Sequence, residues 1–276
     1  MTLKVHTLCE NTVDGIGFEA EWGWSALITS GNTTILLDTG ARSAAVRNAD
    51  RLGLDLRSID SIVLSHAHRD HTGGLDEVLF RTGTVNVIAH PAIWERKCKT
   101  DKEGKNPVYN GIPFSRWALE SRARFILGRE PVSLGDGLTT TGEIPMVTDF
   151  EVAEDHFHVM EEDGLRHDSM PDDMSVAAET EKGLVILLGC AHRGMINTIL
   201  RAREITGEKR IHAVLGGTHL YPKNPGQVSK TIEALKDMGV ERVGVSHCTG
   251  GSASMELSLA FGDRFFLNNS GSTVTF

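Results

Sequence analysis

Alternating apolar and polar positions open the chain, and residues 3–8, 25–29 and 34–37 each read as a short strand. The last two flank the turn-like Ser30, Gly31 and Asn32, which predicts an antiparallel start. Residues 41–52 carry helical spacing and 61–64 form an apolar strand, while Leu75, Val78 and Leu79 give one apolar face to a helix over 74–80. Residues 85–89 are the next strand. From 94 to 129 the strand signals stop, and charged helical stretches alternate with Gly104, Pro107, Gly111 and Pro113; about 91–130 therefore reads as a helical cap insertion. Strands resume at 138–141 and 156–160, and 174–179 with 184–188 form a hairpin across Glu181, Lys182 and Gly183. Thereafter helices over 195–204, 227–238 and 252–260 alternate with strands over 211–215 and 242–245, a β/α pattern. No fixed-period repeat or low-complexity linker divides the chain, so 1–276 reads as a single domain. Two packed sheets with helices outside would satisfy this pattern, although periodicity alone does not establish them.

Composition narrows the function classes. With 40% hydrophobic and 24% charged residues the chain is ordinarily globular and can bury a large core. A net charge of -9 opposes both nucleic acid and anionic membranes, so neither is an expected partner. The first residues lack a basic stretch followed by a long apolar run, and the longest apolar run, 184–188, is too short to span; the expectation is a cytoplasmic protein. Cys9, Cys98, Cys190 and Cys248 show no CxxC pairing, which argues against a disulfide framework or a zinc ribbon. Charge is unevenly spread: 91–130 holds nine Lys or Arg against five Asp or Glu, a local +4 that leaves -13 elsewhere. Arg116, Arg122 and Arg124 in that stretch are candidate phosphate clamps, and a solvated helical face explains the same charges. The sequence leaves a homo-oligomer open.

Chemistry concentrates in His66, His68, Asp70 and His71, three imidazoles and a carboxylate directly after an apolar strand. Core packing has no use for such a group. His66 and His68, two apart on extended chain, project to one side, while Asp70 and His71 lie where the chain turns into a helix. Gly73 and Gly74 let backbone approach closely. Converging imidazole and carboxylate donors suit one or two divalent transition-metal ions, zinc foremost, with manganese or iron as alternatives. Such ions act on ester, lactone or phosphate oxygens, which points to a small anionic substrate.

The run His66-Ala67-His68-Arg69-Asp70-His71 matches an HxHxDH signature, and over most of its length the chain resembles the metallo-β-lactamase superfamily. Leu36-Leu37-Asp38-Thr39-Gly40 is similar to that superfamily's strand-ending Asp-Thr-Gly, and His247 falls where its last histidine ligand is expected. The resemblance implies an α+β fold, a four-layer αββα sandwich with metals at one edge. It also implies that His66 and His68 serve one metal and that Asp70, His71 and His247 serve a second, with Asp70 a candidate catalytic group.

Two parts of the common pattern are absent: a histidine in a Gly-His-Thr/Ser-Pro-Gly stretch, and a bridging aspartate in a Gly-Asp. With strand 184–188 matched to the strand before that aspartate, Gly189-Cys190 takes its place and Pro171-Asp172-Asp173 lies where the histidine belongs. His192, two residues on, is expected to complete the first metal's shell. Cys190 reads either as a thiolate donor or as a small buried residue, and Asp173 as a ligand, an acceptor orienting an imidazole, or part of a turn. The stretches 189–198, 216–220 and 246–250, with Cys9-Glu10-Asn11-Thr12, resemble the dihydropterin ribosylaminobenzene phosphate synthase branch. That branch implies a metal-dependent enzyme acting on a small phosphorylated or pterin-like anion. A dinuclear hydrolase of phosphodiesters or lactones is the alternative, and the missing aspartate keeps a catalytically silent metal-binding sensor in play. His219 follows two glycines at a strand end and is expected to face the site as a substrate donor or proton shuttle. His156, His158 and His167 are irregularly spaced and read as a solvated acidic loop.

Overall fold

The computed structural model describes residues 2–221, 223 and 225–276. β1 (Leu3–Cys9), β2 (Ser25–Ser30) and β3 (Thr33–Leu37) make an antiparallel meander. α1 (Ala44–Arg51) crosses over to β4 (Ser61–Val63), and α2 (Arg69–Thr72) with α3 (Leu75–Thr82) to β5 (Val85–Ala89), so β3, β4 and β5 run parallel. Next come β6 (Lys97–Lys99), β7 (Val108–Tyr109), α4 (Arg116–Leu119), β8 (Ala123–Leu127), β9 (Ser133–Gly135), β10 (Leu138–Thr140), β11 (Phe157–Glu161) and β12 (Gly164–His167). The hairpin β13 (Val176–Thr180) and β14 (Gly183–Leu188) leads through α5 (Met195–Thr206) to β15 (Ile211–Gly217), and α6 (Pro225–Asp237) leads to β16 (Arg242–Ser246). α7 (Gly251–Phe261), β17 (Phe265–Leu267) and β18 (Thr273–Thr275) close the chain.

Two seven-stranded sheets result, ordered β18-β1-β2-β3-β4-β5-β8 and β17-β16-β15-β14-β13-β10-β9. Side-chain alternation shows how they layer. In β14, Leu184, Ile186 and Leu188 pack with α5, α6 and α7, whereas Val185 and Leu187 meet Ile28, Ile35 and Leu37 of the other sheet. Leu27 and Leu36 face away from that interface, toward Ala45, Val46 and Val78 on α1 and α3. A strand buried on both faces reads as a continuous apolar run, which is why β14 shows no alternation in sequence. Helix, sheet, sheet and helix therefore stack as the expected αββα sandwich. None of the described helices is long and apolar enough to cross a membrane.

The helical cap expected over about 91–130 is a correction. Its only α-helix is the single turn α4; β8 extends the first sheet parallel to β5, and β6 with β7 joins β11 and β12 in a separate four-stranded sheet. Lys97-Cys98-Lys99 looked polar because Lys97 carries a charge, yet its side chain is buried between Asp168 and Asp172, with Nζ to carboxylate oxygen distances of 2.9 and 2.8 Å. Pairing with acids some 70 residues away leaves no local signal.

A candidate dinuclear metal centre

The parallel registers align the carboxyl ends of β14, β15 and β16, with Leu188 opposite Gly216 and Gly217 opposite Ser246. Cys190 and His192, His219, and His247 and Cys248 therefore emerge at one edge, where open α/β sheets gather ligands. The ends of β3 and β4 deliver Asp38 and the His66 to His71 loop to the same edge. Asp38, Ala191, His219 and His247 all hold positive φ, from 49° to 59°, a conformation that costs energy in non-glycine residues and concentrates at functional sites. Gly73 and Gly74 are required by close packing: a Cβ on either would strike the carbonyl oxygens of Ala41 or Thr39.

Donor atoms within 4.8 Å of one another group as His66, His68 and His192; as Asp70, His71 and His247; as His66, His71 and Cys190; and as Cys190, His247 and Cys248. The first two groups are the divisions expected from sequence, including the placement of His192. His66 Nε2 lies 3.2 Å from His192 Nε2, and His71 Nε2 lies 3.3 Å from that of His247 and 2.9 Å from Cys190 Sγ. Cys190 thus stands between the two groups, where a donor shared by two ions would stand. Cys248, which the sequence reading passed over, lies 3.3 Å from it, sulfur to sulfur.

Each ring is aimed by a second group. His71 Nδ1 donates to Asp38 Oδ2 at 2.6 Å, and the same carboxylate accepts from Ser65 N and Ser65 Oγ. Ser65 Oγ in turn contacts His66 Nδ1 at 2.9 Å, so Asp38 orients a histidine in each group. His247 Nδ1 bonds Asn11 Oδ1 at 2.9 Å, and Glu10 accepts the His247 backbone N–H. Asp172 accepts from Ala67 N at 2.9 Å and Asp173 from Arg193 N at 2.8 Å. The Pro-Asp-Asp turn therefore braces both ligand-bearing loops, and Asp173 accepts from one of them and belongs to none of the donor groups. Burial raises the Asp173 carboxyl to about 7.

The residues fit metal ions. Burial lowers His68 to about 3 and drives His66 and His192 well down, keeping them as the neutral imidazoles that metals bind. His68 Nε2 is buried without a hydrogen-bond partner, an arrangement costing about 1–3 kcal/mol that a bound cation would relieve. Burial works against charge on Asp70, but hydrogen bonding to His247 and the nearby imidazoles hold its carboxyl well below the usual range. Burial also opposes protonation of His71, yet Asp38 outweighs it and raises the ring to about 9, so an ion entering there displaces a proton.

A cavity of about 480 Å³ opens over these groups and includes His68, Asp70, His192, His219 and His247 in its lining. Arg42, Arg69, Lys99, Asn110 and His156 complete its polar wall. The cations expected for this role are corrected: Arg116 pairs with Glu120 at 2.8 Å, Arg122 pairs with Asp76, Arg124 lies in β8 opposite Asn86, and none lines the cavity. Lys99 comes from the same basic stretch, on β6. His156 also leaves the solvated loop expected for it, whereas His158 and His167 pair across β11 and β12.

Sequence-profile comparison matches residues 23–256 to the metallo-beta-lactamase superfamily. The chain belongs to that superfamily. It is 29% identical to the 7,8-dihydropterin-6-methyl-4-(beta-D-ribofuranosyl)-aminobenzene-5'-phosphate synthase of Methanocaldococcus jannaschii, across 99% of this chain and 97% of the synthase. An uncharacterised protein of the same organism is 32% identical across 87% of this chain and 89% of its own length. Among solved structures, Tm1679, described as a metal-dependent hydrolase of the beta-lactamase superfamily, superposes with a TM-score of 0.84 at 29% identity, over 99% of this chain and 98% of that one.

Glu154 has no counterpart among the residues singled out by sequence. Its Oε1 bonds His219 Nδ1 at 2.8 Å and pairs with Lys223 Nζ at 2.7 Å. Burial alone would raise this carboxyl, but His219 and Lys223 bring it from 4.5 down to about 2; burial would lower His219, but Glu154 raises it above 6.5. A depressed acid stabilises above its unfolded value and a raised base below its own. The pair therefore contributes fully between 4.5 and 6.5, loses that contribution as pH falls toward 2, and loses it again as His219 deprotonates above 6.5. Urea unfolding of Glu154→Gln against the unmodified, metal-free protein is expected to show its largest stability gap inside that window; a gap independent of pH would contradict the pairing.

Proposed function

We propose that this protein is a metal-dependent enzyme of the dihydropterin ribosylaminobenzene phosphate synthase branch, acting on a small phosphorylated or pterin-like anion. The observation that carries the reading is one cavity lined by members of both metal-donor groups (His68 and His192, Asp70 and His247), by His219, which Glu154 holds from behind, and by the cations Arg42, Arg69 and Lys99. The similarity to the synthase over nearly both full lengths supports the same branch. Two divalent ions, zinc foremost with manganese or iron as alternatives, would be held, one by His66, His68 and His192 and the other by Asp70, His71 and His247, with Cys190 between the two groups. Bound there, they would supply Lewis-acid polarisation of a phosphate or ester oxygen and a water acidified toward neutrality.

The chain's own groups do the rest. Arg42, Arg69 and Lys99 hold phosphate oxygens, the arginines through paired N–H donors. With Nδ1 committed to Glu154, His219 keeps Nε2 to give or take a proton at a leaving oxygen. Phe157, packed 4.6 Å from the His68 ring and 5.3 Å from the His192 ring, keeps water from that flank. Metal-loaded protein given a dihydropterin diphosphate and a ribosylaminobenzene phosphate is expected to release pyrophosphate as the arylamine nitrogen displaces it from the pterin methylene, forming a carbon–nitrogen bond and giving up the amine proton. His219→Ala is expected to slow the reaction by about 10²–10⁴-fold. Hydrolysis of generic esters with no carbon–nitrogen bond formation would instead favour a dinuclear hydrolase of phosphodiesters or lactones, the reading that the likeness to Tm1679 supports.

A further inference from the structure

A second, larger cavity of about 690 Å³ adjoins the metal cavity, and Trp22, Tyr221 and His247 line both. Its remaining wall sets the apolar Val245, Met255, Phe265 and Leu267 beside Glu10 and the small polar side chains of Ser246, Ser254 and Ser258. Trp22, Tyr221, Met255 and Leu267 are 58%, 71%, 68% and 57% exposed. Single exposed apolar residues need no explanation, but four large ones around one concavity mark a recognition surface. The partition between the cavities is tied to the metal donors: Trp22 Nε1 donates to Asp70 Oδ2 at 3.1 Å, and its ring stands edge-on to His247 at 5.3 Å. Tyr221 is anchored by its backbone N–H to the Cys248 carbonyl at 3.1 Å. Asn11, Thr12 and Asn269 set polar atoms at the rim. The volume is that of a small-molecule site, and two aromatic rings beside aliphatic side chains suit a planar ring system.

We propose that this basin binds the flat aromatic or heteroaromatic part of the substrate while its anionic end occupies the metal cavity. The proposal rests on the reading of the metal cavity as the reactive site, and it makes Trp22, Tyr221, Met255 and Leu267 determinants of substrate choice. A second copy of the chain covering the same surface is the rival occupant.

Zinc-loaded protein is titrated calorimetrically with 1-naphthylphosphonate and with methylphosphonate, neither of which can be hydrolysed to the phosphate. The naphthyl compound is expected to bind at least about tenfold more tightly, and the ratio is expected to collapse toward one in Met255→Asp and Leu267→Asp. Both side chains are exposed, so folding is not at stake. Equal affinities in the unmodified protein would overturn the basin while leaving the metal cavity as an anion site, and failure of both compounds to bind would remove that anion site as well. A ratio unchanged in the variants, together with a dimer that dissociates when they are made, would assign the surface to self-association and overturn the proposal.

Discussion

Lys97→Met lowers the stability of the fold by about 3–5 kcal/mol, the cost of removing one partner from a buried ion-pair network. Lys97, Asp168 and Asp172 are all fully buried, and the ammonium neutralises two carboxylates that have no water to turn to. Burial by itself would lower the lysine, but Asp172 and Asp168 hold it above its ordinary value, so the ammonium keeps its proton near neutral pH. The consequence reaches the site because Asp172 also accepts the N–H of Ala67, the residue between His66 and His68. Chemical unfolding reads the stability loss. The triple variant Lys97→Met, Asp168→Asn, Asp172→Asn is expected to recover a large part of it, since no charge is then left buried. A loss below about 1 kcal/mol in the single variant would show that the network carries little.

Asp38→Ala weakens metal binding by about 10–100-fold, the range seen when the carboxylate behind a ligating histidine is lost. Three bonds to its carboxylate disappear together, from His71 Nδ1, Ser65 N and Ser65 Oγ. His71 then loses the acceptor that leaves Nε2 pointing toward His247 and Cys190, and through Ser65 the orientation of His66 loosens as well. Competition with a chelator measures both sites, and the Asp70, His71 and His247 site is expected to suffer more because its contact with Asp38 is direct. Unchanged affinity would mean that packing alone aims these rings.

Much of the site was legible because six consecutive positions carry it. His66 to His71 converge through the local geometry of a strand running into a helix, so residue type and spacing suffice. His192 was singled out by the gap it would fill: a strand end without its aspartate and a loop without its histidine left one imidazole two residues away, and the fold brings it beside His66 and His68. Glu154, Lys97 and the Arg42, Arg69 and Lys99 set were not legible. A lone acid in a loop acquires meaning only when His219, 65 residues on, is folded against it. Lys97 misled in the other direction, since a lysine on a three-residue strand argues for solvent unless its distant acids are known. The same blindness turned about 91–130 into an expected helical cap, because β6 is three residues long with two lysines and β8 is a half-exposed edge strand, so neither shows the continuous apolar run that marks β14.

The central claim is that two sets of side chains at one sheet edge hold two metal ions. Elemental analysis of the purified protein together with anomalous diffraction at a metal absorption edge tests it directly. Two ions per chain are predicted, one bound by His66, His68 and His192 and the other by Asp70, His71 and His247. A single ion, or a shell that leaves out His192, would contradict the account.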